Sequence, residues 1–211
     1  MNKIRLLMIS ILAVLAVTAI ATTTASAASF SVTGAQSALL LETIIVTEPS
    51  VLTASGQPEI ECTKLRVRNG HFENGSNTAT VAAIKFYGCK DNSSPEKCEV
   101  TTIETKPLTV TLIAGSKTHF TTEQFNPTIG TEFTSFKLKN RGEASCGLTG
   151  NRVMTGKATS LEENNSTQQT THTLGFDITT KSELFWGGTA AVFRGKGILT
   201  LTSGLKWSLL A

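Results

Sequence analysis

Apolar and polar residues alternate along much of this chain. In TKLRVR, Thr63, Leu65 and Val67 fall on one side of an extended backbone and Lys64, Arg66 and Arg68 on the other, which is the period of a half-buried strand. The same period puts Leu108, Val110 and Leu112 together in PLTVTL, and Leu205, Trp207 and Leu209 in LKWSL. In THTLGFDI it groups His172, Leu174, Phe176 and Ile178 opposite Thr171, Thr173, Gly175 and Asp177. Turn formers stand between such runs: Asn69-Gly70, Asn74-Gly75, Asn126-Pro127 and Arg194-Gly195-Lys196-Gly197. The pattern predicts about ten to twelve short strands.

Two segments read less directly. Residues 37–46, SALLLETIIV, suit a short helix or a fully buried strand, and the closing trio Ile44, Ile45 and Val46 with Pro49 beyond favours the strand. Residues 161–173 hold no apolar side chain after Leu161, which predicts a long hairpin loop or an exposed edge. Helical periodicity is nearly absent, so the expected fold is all-β, an antiparallel β-sandwich or β-barrel. One domain over residues 28–211 suits the length.

Composition agrees. Thirty of those 184 residues are threonine, which favours strands over helices. A membrane barrel would need two aromatic girdles, and one Tyr and two Trp cannot build them.

The start of the chain has a different character. Lys3 and Arg5 precede an apolar run over residues 6–21, and Ala25-Ser26-Ala27 follows a short polar stretch. That is the layout of a secretory signal peptide over residues 1–27, cleaved after Ala27. The competing reading is an uncleaved anchor, because the run is only slightly short of the ~20 residues that cross a bilayer. Without Lys3 and Arg5 the basic count falls from 19 to 17 against 16 acidic residues, a net charge of about +1. A balance so near neutral argues against nucleic acid as a partner.

Export changes how the cysteines are read. Cys62, Cys89, Cys98 and Cys146 are an even number in an oxidising compartment, hence two disulfides. No C-x-x-C spacing suggests zinc or a redox pair. The polar run KDNSSPEK between Cys89 and Cys98 predicts an exposed loop, which favours Cys89 with Cys98 and Cys62 with Cys146. The rival pairing is Cys62 with Cys89 and Cys98 with Cys146, since spacing alone does not fix connectivity.

The order of PEIECTKLRV, IKFYGC, a second close cysteine, ETKPLTVTLI, FTSFKL before a fourth cysteine, and GILTLTSGLKWSL resembles a group of exported β-rich proteins of soil actinobacteria. The resemblance spans most of residues 28–211 and rests on strand patterns and cysteine positions. It implies secretion and a disulfide-braced β fold, and it carries no catalytic residue over. One departure is Lys137-Leu138-Lys139-Asn140-Arg141-Gly142 ahead of Cys146, where the group pattern brings the cysteine sooner.

Candidate chemistry is sparse. No G-x-S-x-G elbow, H-E-x-x-H pair or calcium-loop pattern occurs, and no catalytic, cofactor or metal residue is predicted. His71 falls in the turn NGHFENG, His119 in GSKTHF, and His172 on an apolar strand face. Glu59 with Glu61, and Glu162 with Glu163 in the polar loop, are the carboxylate pairs a glycosidase would need; both read more simply as solvated faces. Lys64, Arg66 and Arg68 form a basic stripe suited to an anionic envelope polymer or, more simply, to solubility and protection of a sheet edge. Trp207 alternates with core leucines, whereas Trp186 beside Gly187 and Gly188 is the candidate exposed ring for stacking on a glycan. Asn74, Asn92, Asn164 and Asn165 head N-x-S/T patterns that mark polar loops.

These observations predict an extracytoplasmic, non-enzymatic domain, structural or adhesive, whose partner is an envelope polymer or glycan. A carbohydrate-binding module centred on Trp186 is the alternative, and a secreted hydrolase a distant third.

Overall fold

The computed structural model describes residues 28–34, 39–94, 96–113, 120–163, 167–176 and 182–210. The segment 1–27 expected to be a signal peptide, together with His119, Asn164, Asn165, Asp177 and Ile178, lies outside them. The described residues form sixteen strands: β1 (Ser29–Val32), β2 (Leu39–Ala54), β3 (Ile60–Arg68), β4 (Gly70–Phe72), β5 (Thr78–Val81), β6 (Ala83–Asp91), β7 (Cys98–Val100), β8 (Ile103–Thr105), β9 (Leu108–Ile113), β10 (Phe120–Pro127), β11 (Glu132–Asn140), β12 (Gly150–Glu163), β13 (Thr171–Phe176), β14 (Glu183–Trp186), β15 (Thr189–Leu201) and β16 (Trp207–Leu210).

Register shows that most of these are pieces of longer staves. β3 and β4 lie end to end along β2, with Leu52 opposite Ile60 and Leu39 opposite Phe72. β5 and β6 follow the next edge, pairing Phe72 with Ala79 and Ile60 with Asp91. β7, β8 and β9 form one stave against them, through Lys90 with Glu99, Phe86 with Ile103 and Ala79 with Val110. β10 and β11 come next, then β12, then β13 with β14, then β15. β15 closes on β2, from Leu201 opposite Leu41 to Ala191 opposite Ala54. Eight antiparallel staves, each beside its neighbour in the chain, make a closed up-and-down barrel.

The sandwich-or-barrel expectation thus resolves to the barrel, and its estimate of ten to twelve short strands is corrected to fourteen segments in eight staves plus the two strands β1 and β16. The cause is local. Asn69-Gly70, Asn126-Pro127 and Arg194-Gly197 do not reverse the chain; they break or bulge staves that continue past them. Asn69 itself has φ of 46°, an accessible left-handed kink for asparagine. Gly195 has φ of 150°, and a Cβ there would sit 3.0 Å from Ser50 Cα across the closing seam. Long strands need such bends to wrap into a barrel. Of the predicted turns, Asn74-Gly75 does join neighbouring staves.

Residues 39–46 are strand, as their β-branched close suggests. The segment 161–173 is not one long loop: β12 runs through Glu163 and β13 begins at Thr171. His71 lies on β4 instead of in a turn, and its ring bonds Thr80 Oγ1 at 3.1 Å.

Alternate residues of the staves fill the lumen with Leu, Val, Ile, Phe and Met, while the outer face is largely polar. Thr63 is an exception to the expected alternation, exposed beside Lys64 while Leu65 and Val67 turn inward. On the outer face Glu104 pairs with Lys85 at 2.8 Å and Arg68 at 3.4 Å, so part of the basic stripe is neutralised. No helix among the described residues is long and apolar enough to cross a membrane.

The two ends of the barrel are closed differently. At one end, where β2 meets β3 and β14 meets β15, lie both disulfides. At the other, β1 and β16 pair antiparallel as a separate ribbon, Val32 opposite Trp207. This ribbon docks on the mouth: Phe30 N–H donates to Ser76 O (2.8 Å), Gly75 N–H to Phe30 O (2.7 Å), and Trp207 exchanges backbone bonds with Gln169. Gln168 Nε2 donates to Ser208 Oγ and Ser31 Oγ. Phe30 stacks on Phe72 at 4.2 Å, and Phe72 meets Trp207 at 5.8 Å.

Candidate functional site

The cysteines pair in the rival arrangement: Cys62 with Cys89, and Cys98 with Cys146. This corrects the favoured pairing of Cys89 with Cys98 and Cys62 with Cys146. Register explains the outcome. Cys62 and Cys89 stand directly opposite on β3 and β6, Cα to Cα 4.0 Å. Cys98 is offset from Cys89 because Lys90, not Cys89, faces Glu99. Asn140 pairs with Cys98, so the chain leaving β11 returns Cys146 to that strand start, where Asn140 Oδ1 accepts its N–H at 3.0 Å.

Trp186 is 1 % exposed, packed edge-on to Phe136 at 5.4 Å inside the lumen. Its predicted role as an exposed glycan contact is therefore corrected. Alternation on β14 runs glutamate out, leucine in, phenylalanine out, tryptophan in; the flanking glycines do not turn the ring outward. The ring that faces solvent is its neighbour Phe185, 43 % exposed.

A shallow groove of about 410 Å³ lies on the outer wall, lined by Thr101, Thr102, Glu132, Ser135, Lys137, Asn151 and Val153 together with Phe136, and Phe185 shares a cross-strand row with its Glu132. Three cross-strand rows build it. Glu132 faces Thr155, which faces Phe185; Ser135 faces Val153; Lys137 faces Asn151. Neighbouring strands lie about 4.8 Å apart, so the Phe185 ring stands roughly two strand spacings from Glu132. Two breaks shape the floor: β7 and β8 are separated at Thr101 and Thr102, and β11 shifts register between Glu132 and Thr134. Thr101 spans the first break, its N–H donating to Lys137 O and its Oγ1 accepting the Lys137 N–H at 2.9 Å. The Glu132 carboxyl is held below the usual range, first by a hydrogen bond from Ser135 and then by Lys106 at 3.3 Å. The groove thus presents a fixed carboxylate, an ammonium, hydroxyls and an amide beside the exposed Val153.

The other predicted carboxylates divide sharply. Asn92 Nδ2 donates to Glu59 Oε1 and Glu61 Oε2, both at 3.0 Å, and Lys90 meets Glu61 at 3.2 Å. These contacts, the Asn92 bond foremost, hold the Glu61 carboxyl low, the wrong direction for a general acid. Glu162 is the opposite case. Expected in a solvated loop, it is fully buried on β12, with its side chain in the lumen.

There Glu162 Oε1 lies 2.8 Å from His172 Nδ1, and His172 Nε2 lies 2.7 Å from the Trp207 carbonyl oxygen. Glu162 also faces Glu123 on β10 closely enough for the two carboxyls to share a proton, and Glu123 Oε2 accepts from Ser160 Oγ at 3.2 Å. Burial pushes the Glu162 carboxyl up to about 8 and raises Glu123 well above the carboxylate range, while burial lowers His172. Glu123 borders a small cavity of about 20 Å³, space for the centre of roughly one water, walled otherwise by apolar side chains including Phe30, Val81 and Phe125. A carboxylate and an imidazole in contact suggest a catalytic triad, but the geometry differs: Ser160 bonds Glu123, and the second histidine nitrogen is occupied by a backbone carbonyl.

The period-two pattern of β13 turns His172 inward, but its partners Glu123 and Glu162 come from other strands. Alternation could have found them, because Glu123 shares a face with Phe125, and Glu162 with Ala158 and Ser160. Among the described residues no group of three or more His, Cys, Asp or Glu side chains could hold a metal ion. The chain matches no protein-family model, no curated protein and no solved structure.

Proposed function

We propose that the chain is exported and acts, without catalysing a reaction, as a disulfide-braced barrel that adheres to a hydroxyl-rich polymer of the cell envelope or its surroundings. The observation that carries this reading is the outer groove. Its volume of about 410 Å³ falls within the range of small-ligand sites, ~300–1,000 Å³, and Thr102, Ser135, Asn151 and Lys137 offer donors and acceptors spaced along it. Phe185, exposed on the same outer wall two strands from Glu132, offers an apolar face of the kind sugar rings stack on. Two disulfides are compatible with an oxidising, extracytoplasmic location, and the resemblance to exported actinobacterial proteins supports the same reading.

The groove also preserves the carbohydrate-binding alternative with a different residue at its centre, Phe185 in place of Trp186. The experiment is retention of the chain 28–211 on purified cell wall, membranes, insoluble polysaccharides and a glycan array. Binding to one of them, lost in Phe185→Ser and weakened in Asn151→Ala, supports the proposal. Retention on none, or retention that both variants keep, sinks it.

A further inference from the structure

We infer that the terminal ribbon β1–β16 is a latch held shut by protons shared among Glu123, Glu162 and His172, so that this end of the barrel loosens as pH rises while the cysteine end does not.

The inference starts from hydrogen counting. The Trp207 carbonyl can only accept, so the 2.7 Å contact requires His172 Nε2 to carry a hydrogen. His172 Nδ1 and both Glu162 oxygens then have no ordinary partner. Their 2.8 Å contact is completed only by a proton, from a neutral carboxyl to the imidazole or from an imidazolium to a carboxylate. The Glu123–Glu162 contact joins two acceptors and needs a second proton. Two protons are therefore built into the bonds that hold Trp207, and through it β16, against β13.

Among the described residues nothing nearby supplies a compensating charge. Glu123 comes from β10, Glu162 from β12 and His172 from β13; facing them, β1 presents Phe30, β4 Phe72, β15 Leu199 and β16 Trp207 and Leu209, none of which titrates. A lone carboxylate in such a site is strongly disfavoured.

The sign follows from linkage. Both carboxyls have raised values in the closed state, so their contribution is fully present below the ordinary carboxylate range and is lost as pH rises through the closed-state value, about 8 for Glu162. His172 is lowered, and its contribution is lost on acidification below the ordinary histidine range. Above pH ~6.5 the histidine no longer offsets the carboxyls, and the latch weakens through pH 8.

Amide hydrogen exchange on the chain 28–211 tests this, with protection factors corrected for intrinsic rates. Between pH 6.5 and 8, protection of Ser29–Val32 and Trp207–Leu210 should fall by about tenfold or more, while the β3–β6 amides around Cys62 and Cys89 hold. Glu162→Gln should reduce the fall, and Glu123→Gln with Glu162→Gln should abolish it. Flat protection of the ribbon in the unaltered chain overturns the inference without recourse to any variant. So does an equal fall at both ends, or a fall that persists in a folded double variant.

Discussion

The two ends of this barrel solve one problem with unlike chemistry. At the cysteine end, one covalent bond joins facing strands at Cys62 and Cys89, and another fastens the loop after β11 through Cys98 and Cys146. At the ribbon end, Phe30, Phe72 and Trp207 fill the mouth and a buried acid–imidazole cluster bonds the ribbon in place. Covalent closure is indifferent to protons and exposed to reductants; packed closure is the reverse. An open barrel mouth would leave apolar lumen in water, and each end avoids that at the cost of a different sensitivity.

The largest effect should come from removing the ribbon's main anchor. Trp207 is fully buried against Phe72 and His172, and Trp207→Ala should destabilise by about 3–5 kcal/mol in urea unfolding. Trp186→Ala empties the lumen at the cysteine end, where Trp186 packs on Phe136, and should cost a similar amount. The ends then separate by location: exchange protection should fall first at β1 and β16 in the former and at β12 and β14 in the latter. A loss below about 1 kcal/mol for Trp207→Ala would mean the ribbon is an ornament on a barrel closed without it.

Next in size are the disulfides. Removing either by paired Cys→Ser substitution should cost about 2–4 kcal/mol. The Cys98–Cys146 bridge spans 48 residues and the Cys62–Cys89 bridge 27, so loop entropy makes the former worth about 0.5 kcal/mol more. The comparison of the ends demands one further result: neither pair of substitutions should alter the pH dependence of the ribbon. Gly195→Ala acts at the seam between β2 and β15, where φ of 150° and the 3.0 Å approach to Ser50 should make it cost about 1–3 kcal/mol.

How much of this was legible from the residues follows the same division. Period-two patterns identified strand faces at Leu108–Leu112 and at His172–Phe176 because those positions alternate without interruption. The eight-stave count was hidden because barrel curvature uses the same glycines and asparagines as turns, as at Asn69 and Gly195. Disulfide pairing was hidden because it depends on register, which sets Cys62 against Cys89 across 27 residues of chain. The polar residues after Glu162 suggest a solvated loop, although strand pairing carries it into the lumen. The groove has no signature in the sequence: it is assembled from rows crossing three staves, and no contiguous segment contains it.

The smallest expected change in stability is also the most pointed test of the comparison between inside and outside. Phe185 and Trp186 are adjacent aromatics on β14, one 43 % and the other 1 % exposed. Phe185→Ser removes a ring that already meets solvent, so it should shift unfolding by no more than about 0.5 kcal/mol. Its cost elsewhere should be large, because the outer wall would lose the exposed ring that shares a cross-strand row with Glu132 while Glu132, Lys137 and Asn151 stay in place. A variant as stable as the parent that no longer binds polymer would assign adhesion to the outer wall. A destabilisation of several kcal/mol would instead show that the ring belongs to the packing, and the groove would then lack the apolar face on which a sugar could rest.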